Sequence, residues 1–125
     1  MKNKKILIIE DDATLRNVLS EFLESEGFSV AVAADGEEGI VLVGTSKPDI
    51  ILLDIILPKK NGFEVLKEVK DNNDTSDIPV ILLTNLGSLD DIEKALELGA
   101  TTYLVKGDYQ IREIVEKIKE VLSLR

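Results

Sequence analysis

Neither cysteine nor histidine occurs in this chain of 125 residues. The first absence excludes disulfides and thiol nucleophiles. The second excludes serine–histidine relays and any phosphate carried on histidine by this chain. Together they leave zinc without its usual ligands. Aromatic residues make up only 4% of the chain and no apolar run exceeds five residues, against the roughly 20 that a membrane-spanning helix needs. Met1-Lys2-Asn3-Lys4-Lys5 is basic, but Ile6 to Ile9 is too short for a signal-peptide core. Positive charge is scarce: 15 Lys and Arg stand against 24 Asp and Glu, for a net charge of −9. A nucleic-acid backbone and an anionic membrane surface would both be repelled. Neither is an expected partner, and the expected location is the cytoplasm. Carboxylates, lysines and hydroxyls are left to carry any chemistry.

The length suits one domain over 1–125 with a single core. Its centre is Asp49-Ile50-Ile51-Leu52-Leu53-Asp54. Four consecutive aliphatic residues suit a strand buried on both faces of a parallel sheet. Lys5-Ile6-Leu7-Ile8-Ile9 and Pro79-Val80-Ile81-Leu82-Leu83-Thr84 are of the same kind. Phe28–Ala34 reads as a small-residue strand near an edge, and Thr102–Val105 as a last short one. Helical patterns lie between them. Leu15, Val18, Leu19, Phe22 and Leu23 form a stripe closed by Gly27. Glu37–Val43 is a short helix weakened by Gly39 and Gly44. Asn61 caps a helix carrying Phe63, Leu66 and Val69. Ser88 and Asp91 match a capping box for a helix that Gly99 closes, and Ile111, Ile114, Val115, Ile118, Val121 and Leu122 stripe the last helix. Five strands alternating with five helices predict an α/β fold: a flavodoxin-like doubly wound sheet, all parallel, in the order 2-1-3-4-5.

In such a sheet, sites form beyond the carboxyl ends of the strands. The first strand ends at Glu10-Asp11, the third at Asp54, the fourth at Thr84 and the fifth at Lys106. Any one of these is an ordinary surface residue when taken singly. Jointly they bring three carboxylates, a hydroxyl and an ammonium to one edge. Clustered carboxylates repel, and a hard divalent cation relieves them; Mg2+ favours a few carboxylates and retained waters. A nucleophilic carboxylate beside a metal, a lysine and a hydroxyl suits phosphoryl transfer.

These residues resemble the receiver domain of two-component response regulators, over the whole chain. Ile6-Leu7-Ile8-Ile9-Glu10-Asp11-Asp12 is similar to that family's first strand and acidic pair. Asp54-Ile55-Ile56-Leu57-Pro58 with Asn61-Gly62 is similar to its phosphoacceptor strand and loop. Ile81-Leu82-Leu83-Thr84, and Gly99-Ala100 with Tyr103 and Lys106, complete the pattern. The resemblance implies that Asp54 accepts phosphate from a sensor histidine kinase or a histidine phosphotransfer protein. Asp11, Asp54 and the backbone carbonyl of Ile56 would bind Mg2+ directly, with Glu10 acting through water. Lys106 would pair with a phosphoryl oxygen, Thr84 would hydrogen-bond the phosphate, and Tyr103 would turn with it. The signal would pass to a downstream protein target through the face made by Ser88–Leu98, Thr102–Val105 and Tyr109–Leu122. A charge reversal at Arg16 would hinder the donor protein, which the pattern docks around Thr14 and Leu15.

The sequence departs from the pattern at Gly107, where proline is usual, and at Asn85, where a smaller residue is usual. Ile56 and Leu86 border the site and are both apolar, which implies slow loss of phosphate. A haloacid-dehalogenase-like phosphatase is the rival enzyme reading. It would need its nucleophile at the end of the first strand, where Glu10-Asp11-Asp12-Ala13-Thr14 puts the wrong acid first. A flavin carrier would need a glycine- or hydroxyl-rich loop there. No output domain is expected after the last helix, so the chain is expected to dock a partner or serve as one piece of a phosphorelay. It is not expected to be an enzyme beyond its own phosphoryl transfer and dephosphorylation.

Overall fold

A computed structural model describes residues 3–84, 89–107 and 110–123. In chain order the elements are β1 (Lys5–Ile9), α1 (Ala13–Ser25), β2 (Ser29–Ala33), α2 (Gly36–Ser46), β3 (Ile50–Asp54), α3 (Gly62–Asp71), β4 (Val80–Thr84), α4 (Leu89–Glu97), β5 (Thr102–Val105) and α5 (Ile111–Ser123). The five strands form one parallel sheet in the order β2-β1-β3-β4-β5. The expected fold class and strand order hold.

The aliphatic strands are central because both their faces are covered. Ile6, Ile8, Ile50, Leu52, Ile81, Leu83 and Leu104 pack under α1 and α5. The alternate residues Leu7, Ile9, Ile51, Leu53, Val80 and Leu82 pack on the other face, with α2, α3 and α4. This is the period of two of an extended chain. Leu52 and Leu53 are 1% and 0% exposed, so truncating either to alanine costs about 2–5 kcal/mol.

Helices α1, α2 and α3 start where a short polar side chain satisfies free backbone donors. Asp12 accepts from the N–H groups of Thr14 and Leu15, at 3.0 and 3.3 Å. Asp35 accepts from Glu38 N–H at 2.8 Å, and that contact holds its carboxyl below the usual range. Asn61 and Glu64 form a reciprocal capping box. The Ser88 cap expected for α4 lies outside the described residues.

Two elements differ from expectation. Helix α2 is longer than Glu37–Val43 and contains both glycines that should weaken it. A Cβ at Gly39 would stand 2.7 Å from Ile9 Cδ1. Close packing on β1 therefore outweighs the lower helix propensity of glycine. The stripe of α1 is narrower than the sequence suggests. Leu19 and Leu23 are fully buried, whereas Val18 and Phe22 are 43% and 37% exposed. They sit one residue, about 100°, off the inward line.

Candidate acidic and lysine site at the sheet edge

Strand alternation builds the site. Ile9 of β1 is in register with Leu53 of β3, so Glu10 and Asp54 follow side by side. Both fall on the α1/α5 face, one pleat beyond Ile8 and Leu52. Lys106, two residues past Leu104, falls on the same face. Thr84 and Tyr103 have the opposite parity. They lie on the α4 side, Thr84 buried and Tyr103 38% exposed at the last strand.

Backbone contacts fix Glu10 from two directions. Its N–H donates to Ala33 O at 3.0 Å, and its carbonyl accepts from Arg16 Nη1 at 2.8 Å. Asp12 N–H donates to Glu10 Oε2 at 3.2 Å. Lys106 is tied to β4 through its N–H, which donates to Thr84 O at 2.6 Å. Its ammonium bridges the acids, lying 2.5 Å from Glu10 Oε1 and 3.0 Å from Asp54 Oδ2. The Asp54 contact is a hydrogen bond. The Glu10 contact is a close ion pair, and the ammonium is the only cation at Glu10 Oε1 among the described residues.

The charges respond to this crowding. Burial pushes the Glu10 carboxyl up, Lys106 pulls it back, and Asp54 pushes it up again, for a net rise. Burial opposes the charge on Lys106, but Glu10 and Asp54 outweigh it and hold the ammonium above its usual range.

Glu10, Asp11 and Asp54 each offer a carboxylate oxygen, all within 4.8 Å of one another. Asp11 is exposed at the mouth, while Glu10 and Asp54 are buried. Three converging carboxylates, two of them buried and sharing one ammonium, are an all-oxygen donor set that fits a hard cation. Beside it, Ile56 N–H donates to Asp54 Oδ1 at 3.3 Å, and the Ile56 side chain is 72% exposed.

The structure thus brings together Glu10, Asp11, Asp54 and Lys106, with Ile56 and Thr84 adjoining and Tyr103 apart on β5. The Lys106–Gly107 peptide is trans, and Gly107 has φ 91°, a region that favours glycine. Asn85, Leu86, Asp108 and Tyr109 lie outside the described residues. Arg16 has a contact that the sequence does not show. It is half-buried and engaged with the Glu10 carbonyl, so reversing its charge would disturb the site itself as well as any docking. Sequence reasoning missed this, because a helix-surface arginine gives no sign of a partner six residues back.

A doubly wound fold with this acidic edge defines a class, and comparisons with known proteins agree. A CheY-like receiver domain protein from Methanospirillum hungatei JF-1 superposes with a TM-score of 0.91 at 32% identity, covering 98% of this chain and 95% of that one. Chemotaxis response regulator CheY4 of Vibrio cholerae gives 0.89 at 28%, covering 96% and 99%. The family model for the response regulator receiver domain matches residues 6–119. The chain belongs to that family, the receiver domains of response regulators. The transcriptional regulatory protein CpxR of Escherichia coli K12 is 46% identical over 118 residues, covering 94% of this chain and 49% of CpxR. The DNA-binding regulator RpaA of Synechocystis is 37% identical over 118 residues, covering 94% of this chain and 48% of RpaA. The chain spans about half the length of the curated relatives it matches. Among the described residues, no helix is long and apolar enough to cross a membrane.

Proposed function

We propose that residues 1–125 act as a single receiver unit whose acceptor is Asp54, served by Glu10, Asp11, Thr84, Tyr103 and Lys106. The observation that carries this is the Lys106 ammonium held between Glu10 and Asp54 at the end of the central strand. The donor is a phosphohistidine on a sensor kinase or phosphotransfer protein. An Asp54 carboxylate oxygen attacks phosphorus in line. The P–N bond breaks, the donor imidazole keeps the electron pair and takes up a proton, and an acyl phosphate forms. Lys106 moves from its carboxylate partners to a phosphoryl oxygen. Thr84 donates its hydroxyl proton to another, and Tyr103, on the same face of the sheet, carries the change to the α4, β5 and α5 surface. That surface then selects a downstream protein, as one of two pre-existing states gains population. The charge of −9 keeps this domain off nucleic acid.

Asp11, Asp54 and the Ile56 carbonyl would hold Mg2+, with Glu10 reached through water. When bound, the ion would supply positive charge that offsets the phosphoryl oxygens and the crowded acids. Asp11→Asn is expected to weaken Mg2+ binding by about tenfold or more, the scale of losing a supporting group. The apo protein should melt no lower, because an exposed charge has been removed from a repulsive cluster. Amide-shift titration and thermal melts measure both. Unchanged Mg2+ affinity with a lower melting temperature would mean that the acidic cluster is misassigned. Small-donor phosphorylation followed by intact mass and peptide mapping tests the acceptor, through the Asp54 variant argued in the Discussion.

The acyl phosphate should be long-lived. The Ile56 side chain projects beside Asp54 and carries no atom that can orient attacking water. Ile56→Asn should shorten the lifetime severalfold when the donor is removed and decay is followed by mass. Equal decay of the two proteins would show that this position does not set the lifetime.

A further inference from the structure

We propose that the Asp35–Gly36 turn is a positioning element for the metal-binding loop, resting on the assignment of the Ile56 carbonyl to Mg2+. The loop from Ile55 to Asn61 is gripped at three places. Ile55 and Leu57 are buried at 7% and 9% exposure in the core under α2 and α3. They turn the residue between them outward and fix its backbone on both sides. Gly62 closes the far end. Its N–H donates to Ile55 O at 2.7 Å, and a Cβ there would lie 2.6 Å from Ile55 Cα.

The third grip comes from a different part of the chain. Gly36 N–H donates to Pro58 O at 3.2 Å. A Cβ at Gly36 would overlap the Lys60 carbonyl oxygen and stand 2.6 Å from Lys60 Cβ. Lys59 sits at φ 67°, uncommon for a side-chain-bearing residue, and its ammonium reaches Asp35 Oδ2 at 3.6 Å. The start of α2 is thus a stop against the back of the Pro58–Lys60 turn, with no room for one methyl group. The Ile56 carbonyl lies two residues before Pro58 on the same short span. A carbonyl has no rotamer of its own, so its direction is set by how the neighbouring backbone is held.

The matched pair Gly36→Ala and Gly44→Ala tests this. Both add one methyl to α2, but a Cβ at Gly44 meets nothing within 4 Å. Mg2+ is titrated by amide shifts. Gly36→Ala should bind about tenfold more weakly, as for loss of a group that orients a metal ligand, and Gly44→Ala should match wild type. Phosphorylation of Gly36→Ala by a small donor should recover at saturating Mg2+. Asp35→Ala, which removes the half-buried cap of α2 and its ion pair with Lys59 and so loosens the same turn, should weaken Mg2+ in the same direction and serves if Gly36→Ala does not fold. In wild type, Mg2+ should slow hydrogen exchange at Gly36 N–H, by reciprocity between coupled sites. A folded Gly36→Ala that binds Mg2+ like wild type overturns the positioning role alone. Wild type that shows no Mg2+ shifts at Asp11, Asp54 and Ile56 overturns the metal assignment, and the positioning role with it.

Discussion

Asp54→Asn is expected to abolish phosphorylation by a small donor in the presence of Mg2+, with intact mass showing only unmodified protein. The amide keeps the shape of the carboxylate but lacks its nucleophilic oxygen charge, and covalent catalysis needs that charge. Other carboxylates do not substitute. Glu10 is fully buried beneath the Lys106 ammonium. Asp11 lies at the exposed mouth, on the β1 side of the cluster. The variant should nonetheless fold. Lys106 retains Glu10 as a partner, and one of two adjacent buried negative charges is gone. A melting temperature at or above that of wild type, with no mass increase, is the expected pair of results. Full phosphorylation of the variant would move the acceptor elsewhere.

The edge of the sheet was readable because the strands declare themselves. Ile6–Ile9, Ile50–Leu53 and Val80–Leu83 have no polar residue that could face solvent, so they had to be central and parallel. Once they are central, the residue after each run is placed at one edge by topology alone, and so Glu10, Asp54 and Thr84 could be named. What the sequence did not show is how those ends are braced. Gly36 reads as a turn glycine, yet its lack of a side chain matters because Lys60, twenty-four residues away, backs onto it. Gly39 reads as a weak point in a helix and is a contact with Ile9. Arg16 reads as surface charge and is a clamp on the Glu10 carbonyl. In each case the partner is brought up by the fold, and no local periodicity records it. The exposed position of Val18 and Phe22 has the same origin, because a helical stripe shows which residues share a side but not how wide the neighbour is.

Lys106→Met should cost the apo protein about 3 kcal/mol at neutral pH, the low end of the range for breaking a buried ion pair. That corresponds to a fall in melting temperature of roughly 10 °C for a chain of this size. The loss arises because two adjacent buried carboxyl groups lose the ammonium between them. Its pH dependence has a definite sign. Glu10 has a folded pKa above its unfolded value, from burial first and from Asp54. Between those two values the native state binds more protons than the unfolded state, so stability falls as pH rises through that window. In wild type Lys106 restrains the rise; without it the window extends upward. The deficit of Lys106→Met should therefore be largest at neutral pH and shrink as acid protonates Glu10. Lys106 itself, held above its usual range by the two acids, contributes stability that is complete at neutral pH. That contribution is lost only as pH rises through its folded pKa, so its own titration does not mask the effect. Mg2+ should restore part of the loss, through preferential binding to the folded acids. Adding Glu10→Gln to Lys106→Met should restore part of it without metal, since the two sites are in contact and their effects are not additive. Melts of the four proteins of this cycle at acidic and neutral pH measure the coupling. A deficit equal at both pH values, or one that Glu10→Gln leaves untouched, would show that the bridge to Glu10 contributes nothing to the stability of the empty site.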